Sequence, residues 1–163
     1  MSLTLALIVG GVIAAGMLYF WNQIVFFFQT RMIPWVRARL GNGSADLLAN
    51  LVAFADKGAT FVRRNVRAGY RWLCNNILGL KSTYSPKNAA EVTKVTEGYI
   101  YQGNDQYEHF SSVETVKVDD LPPEARKNMI KNNCPAEVDD LDALKTRIKK
   151  RAEEEGIELE AAA

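Results

Sequence analysis

Few side chains in this chain are of the kind that make or break bonds, and their spacing assembles none of them into a catalytic set. Cys74 and Cys134 lie far apart and form no C-x-x-C pair, so reduced cytosolic thiols are expected rather than a zinc site or a disulfide framework. The single histidine, His109, stands beside Phe110 with no cluster of other ligating residues, which suits a strand or surface position. Asp119-Asp120 and Asp139-Asp140 are the nearest approach to paired carboxylates. Each pair falls at an expected helix start, where capping and the helix dipole account for it. There is no phosphate loop, no G-x-S-x-G and no H-E-x-x-H. The expectation is therefore a non-enzymatic protein with no catalytic residue, metal or cofactor.

Two groups of residues are better suited to binding than to reaction. Arg63, Arg64, Arg67 and Arg71 recur three and four residues apart opposite an apolar stripe of Val62, Val66, Tyr70, Leu73, Ile77 and Leu80. A helix with that pattern can lie in a lipid headgroup plane or pack on a neighbouring subunit with its arginines solvated. Phosphates and bases could also meet these arginines between Tyr70 and Trp72, so nucleic acid ranks last among the partners considered. Further along, Tyr99, Tyr101, Tyr107 and Lys117 form a candidate ligand or partner surface, and they are the only groups there suited to a nucleotide.

The elements that must position these residues follow from the charge pattern. Nothing between Met1 and Thr30 is charged, Arg31 to Lys81 carries a net +7, and the chain from Ser82 onward carries −6. The overall +1 thus hides three zones. The opening run through Phe28 is long and apolar enough to read as one transmembrane helix, interrupted late by Asn22 and Gln23. Arg31, Arg37 and Arg39 follow it and nothing basic precedes it, which puts the short N-terminus outside and the rest in the cytoplasm. With Trp35, and with Arg63 to Arg71, these arginines form the expected lipid interface. Ala6, Gly10 and Ala14, with Gly11 and Ala15 beside them, make a strip of small residues along which helices could associate.

Four regions result: an anchor over 1–30, basic amphipathic interfacial helices over 31–81, a linker over 82–90 and a small α+β domain over 91–163. Pro34 and Gly41-Asn42-Gly43 break the second region, and Ser44 can cap a helix starting near Ala45. In the last region, strands over 92–102 and 110–118 are expected to meet in a hairpin through Gly103-Asn104-Asp105. Helices then begin at Leu121-Pro122 and Pro135, the second with a seam of Val138, Leu141, Leu144, Ile148 and Ala152. The expected class is a single-pass membrane protein, mainly α, with a β-hairpin and two helices in its soluble part.

Such a domain has a thin core, which favours contacts with other copies or other subunits. The functional expectation is a self-associating assembly or scaffold protein, or an accessory subunit of a membrane complex, with the bilayer, further copies of itself and other subunits as partners. The alternative is an oligomeric effector, gated by a ligand or partner, that permeabilises the bilayer. A membrane tether for nucleic acid comes third.

Overall fold

The computed structural model describes residues 21–57, 62–121 and 136–159. Residues 21–27 are helical and run through a π-helical turn, Phe28–Met32, into α1 (Ile33–Leu40). α2 (Asn42–Lys57) and α3 (Arg63–Asn76) follow, then β1 (Ile77–Pro86), β2 (Glu91–Gly103) and β3 (Gln106–Lys117). A short 3-10 turn (Val118–Asp120) ends β3, and the chain closes with β4 (Ala136–Asp139) and α4 (Asp140–Glu154).

The π-helical turn sets the register of the first helical stretch. The Ile33 N–H donates to the Phe28 carbonyl five residues back, and the Thr30 hydroxyl donates to the Phe26 carbonyl at 2.7 Å. One residue is thereby inserted into the helical repeat, a common local device for re-aiming side chains. Phe27, Phe28, Met32 and Ile33 are all buried as a result. Pro34 sits in the first turn of α1, where its missing N–H costs least, so the helix passes through it. Gly41, at φ 90°, supplies the tight reversal into α2. The expected break over 41–43 is thus confined to one residue, and α2 starts at Asn42 rather than near Ala45.

α3 buries Val66, Gly69, Tyr70 and Leu73, the spacing of a helical stripe. Its close approach to α2 uses Gly69, where a Cβ would already touch Leu47 and Leu51. The helix stops at Asn76, whose side-chain amide donates to the Trp72 carbonyl at 2.7 Å and so satisfies an otherwise free end group. The expected continuation to Leu80 and the expected linker over 82–90 are both replaced by β1, in which Leu80, Ser82 and Tyr84 are buried.

All four strands pair antiparallel in the order β3-β2-β1-β4. Asn88 Oδ1 accepts from the Ala90 and Glu91 N–H groups at 2.9 and 2.8 Å, which closes the β1–β2 turn. Asn104 (φ 52°) and Asp105 (φ 57°) are both left-handed, the hallmark of the hairpin turn whose twist suits flanking strands. The helices cover one face of the sheet. Against that face Ile77, Leu80, Ile100 and Phe110 pack with Leu48, Leu51 and Phe54 of α2, Leu73 of α3, and Leu144 and Ile148 of α4. Phe110 takes Phe27 and Trp35 edge-on, with ring centroids 6.0 and 5.5 Å away.

This architecture corrects the membrane reading. Among the described residues no helix is long and apolar enough to cross a membrane. The end of the expected anchor instead belongs to the protein core: Trp21, Ile24, Val25 and Phe28 are buried, three and four residues apart, and Phe28 is wholly enclosed. Trp21 also donates its indole N–H to Asp56 of α2 at 2.9 Å. The single-pass, mainly helical class and the membrane localisation derived from it are therefore replaced by a two-layer α+β fold. A helix apolar on its buried side has the same composition whether lipid or a sheet receives it, and here the sheet does. Ala6, Gly10, Gly11, Ala14 and Ala15 lie outside the described residues, as do Cys134 and the helix expected from Leu121-Pro122. The last helix begins at Asp140 rather than Pro135, because residues 136–139 pair with β1.

Candidate functional site: an open sheet face and a polar interior

Alternation along the strands divides their residues between two faces. Val92, Lys94, Thr96, Gly98 and Ile100 of β2 point toward the helices and are buried, whereas Val95, Glu97, Tyr99 and Tyr101 point away. The same division in β3 sends Tyr107, His109, Ser111, Val113, Thr115 and Lys117 outward. None of the described outward-facing residues is buried. Four large apolar or aromatic side chains are well exposed there: Leu78, Tyr99, Tyr107 and Val113 (65% exposed). Antiparallel sheets commonly leave one face to solvent, but such a face is ordinarily polar.

The aromatic groups gather at the hairpin end. Tyr99 and His109 lie opposite each other with ring centroids 5.2 Å apart, and Tyr101 and Tyr107 with centroids 5.3 Å apart. Three of the four residues anticipated as a binding surface are thus brought together. Lys117 shares their face but stands at the far end of β3, opposite Glu91. The charges on this face are largely matched within it. Lys81 approaches Glu137 at 3.4 Å and Glu97 at 4.0 Å, His109 Nε2 lies 3.5 Å from Glu97, and Glu91 meets Lys87 at 3.7 Å.

Beneath the sheet lies a polar group that the sequence gave no reason to expect. Ser82, Thr96 and Asp140 are buried together: the Ser82 and Thr96 hydroxyls are 3.0 Å apart, and Ser82 also donates to the Asp140 carboxylate. Burial pushes the Asp140 carboxyl up to about 6; the Ser82 hydrogen bond and the charge of Lys94 only partly oppose this, and neighbouring Asp139 adds to it. In the adjoining row, Tyr84, Lys94 and Glu114 stand opposite one another on three strands. The Lys94 ammonium is 3.4 Å from Glu114 and 5.8 Å from the ring centroids of both Phe27 and Tyr84. These residues were legible as polar positions in strands, but only the strand register shows that they point inward.

The arginines expected at a lipid interface make contacts within the chain. Arg31 reaches Glu114 at 4.0 Å, Arg37 reaches Asp46 at 3.5 Å, and Arg39 reaches Glu108 at 3.5 Å while lying 5.9 Å from the Trp35 ring centroid. Arg67 donates to the Glu158 carbonyl at 2.6 Å, fastening the segment after α4 onto α3. Arg63, Arg64 and Arg71 are exposed on α3. Cys74 is a free thiol on that helix, and no group of three His, Cys, Asp or Glu residues among the described residues could hold a metal ion.

No protein-family model, curated protein or solved structure matches this chain.

Proposed function

We propose that this protein is a self-associating assembly protein in which two copies meet through the outer faces of their sheets. The observation that carries the proposal is the row of exposed Leu78, Tyr99, Tyr107 and Val113 on a sheet face with no buried outward-facing residue among those described. Contiguous exposed apolar groups of this kind mark contact surfaces, and tyrosine is favoured in them because its ring packs while its hydroxyl remains satisfied.

Size and charge both suit a second copy. The twelve residues of β3, at about 3.3 Å each across three strands about 4.8 Å apart, define a face of roughly 550 Å². Two such faces would bury roughly 1,100 Å² in total, just above the roughly 1,000 Å² expected of a specific interface. Because Glu91, Glu97 and Glu137 already have basic neighbours on the same chain, stacking two copies does not leave these like charges uncompensated. The same matched charge makes the face a poor platform for the phosphates of a nucleic acid.

Sedimentation equilibrium of the intact chain tests this reading. The wild type should show a concentration-dependent doubling of mass, and the Tyr99→Glu, Val113→Glu double variant should remain monomeric with an unchanged circular dichroism spectrum. A wild-type chain that stays monomeric throughout, or a folded double variant that still dimerises, would overturn the proposal.

A further inference from the structure

On the helical side of the sheet, a cleft of about 610 Å³ opens between the helical residues 22–31 and the end of β3. Its size lies within the range of small-molecule pockets. Its walls are chemically divided. Arg31, Lys94 and Lys117 supply three cations, Glu114 and Asp120 two carboxylates, and Phe26 and Phe27 an aromatic side. Phe26 is 65% exposed on the helix that forms one wall, although its neighbours Val25 and Phe27 are buried.

We infer that this cleft binds an organic monoanion, a carboxylate or its equivalent on a flat apolar body, with the anionic head between Arg31 and Lys94 and the body against Phe26. Three observations converge on it. The lining has one more basic than acidic residue, which one negative charge would balance. Glu114 already occupies the position between the two cations, 3.4 Å from Lys94 and 4.0 Å from Arg31, which shows that the pair can hold a carboxylate. Lys94 is 94% buried and is held by the rings of Phe27 and Tyr84 on its apolar sides. Its charge is therefore fixed in place before any ligand arrives and is poorly screened by water. Asn22 and Gln23, placed by the sequence within the expected membrane segment, line the same cleft, and the Gln23 amide donates to the Asp120 carbonyl. Polar groups at the mouth, a buried cation below and an exposed ring at the side form a binding site's division of labour.

The inference stands apart from self-association, since the cleft and the outer sheet face lie on opposite sides of the sheet. Isothermal titration of the intact chain with 1-naphthoate, 1-naphthol and inorganic phosphate tests it. Naphthoate should bind at least about tenfold more tightly than naphthol, the ratio expected from one charge-assisted contact, and phosphate alone should bind more weakly than naphthoate. Arg31→Met keeps the aliphatic stem of a half-exposed side chain and should abolish the preference for naphthoate without changing naphthol. Phe26→Ser should weaken both aromatic probes and leave phosphate unchanged. Equal affinity for naphthoate and naphthol, no binding of naphthoate, or a folded Arg31→Met variant that retains the preference would each overturn the inference.

Discussion

Replacing Asp140 by asparagine should change how the stability of this protein depends on pH. The carboxyl is buried where α4 meets the sheet, it accepts from Ser82, and its pKa is raised from the ordinary 3.8 to about 6. A raised value means that the folded state holds the proton more tightly than the unfolded chain does. Below about pH 4 both states carry the proton and nothing is lost. As pH rises through the raised value, the unfolded chain releases its proton freely while the folded protein must ionise a buried group, so stability falls. The interval from 3.8 to about 6 corresponds to about 3 kcal/mol, fully expressed above neutral pH. That is a large share of the roughly 5–15 kcal/mol that holds an ordinary domain together. The groups that set the balance are Ser82 and Lys94, which favour the ionised form, and Asp139, which opposes it. Asparagine has the same shape, can still accept from Ser82 and does not titrate. Urea unfolding of both proteins from about pH 4 to about pH 8 gives the difference in stability, in which titrations common to both cancel. That difference should move by about 3 kcal/mol in favour of the variant as pH rises. A difference that stays flat, or moves the other way, would refute the reasoning.

Two further outcomes test the packing. A Cβ at Gly98 would stand 3.0 Å from both Cα and Cδ1 of Leu80, so Gly98→Ala forces two strands apart and should cost about 1–3 kcal/mol in chemical denaturation. Leu144→Ala empties a fully buried position between α4 and the sheet and should cost about 2–5 kcal/mol by the same measurement.

Where residue type alone dictates geometry, the sequence was a sound guide. Gly103-Asn104-Asp105 announces the β2–β3 hairpin because few residues tolerate consecutive left-handed positions, and Asn104 and Asp105 adopt them. Leu141, Leu144, Ile148 and Ala152 repeat at helical spacing and are the buried residues of α4, whereas Val138 lies in β4. The grouping of Tyr99 with Tyr101 follows from strand alternation, and register adds Tyr107.

The sequence misled where burial and polarity part company. β1 has the composition of a linker because its inward residues include Ser82, which faces a buried carboxylate rather than an apolar core. Lys94 resembles a surface residue until the register turns it inward beside Glu114. The apolar opening was read to its end as one lipid-facing segment. A one-sided pattern was nevertheless present: Asn22, Phe26, Gln29 and Thr30 are exposed while Trp21, Ile24, Val25 and Phe28 are buried. Three of those four exposed side chains are polar, so the helical period of the polar residues over 22–30 was the signal that could have separated a core helix from a spanning one.

The claim that two copies meet through the open sheet face is tested most directly by hydroxyl-radical footprinting across a dilution series. Phe26 and Val62, exposed to 65% and 68%, lie away from that face and serve as internal references for Tyr99 and Tyr107, exposed to 50% and 51%. The two tyrosines should lose reactivity as concentration rises through the range where mass doubles, while Phe26 and Val62 stay unchanged. Tyrosines that remain fully reactive in the associated form, or protection that appears at Phe26 and Val62 instead, would contradict the account.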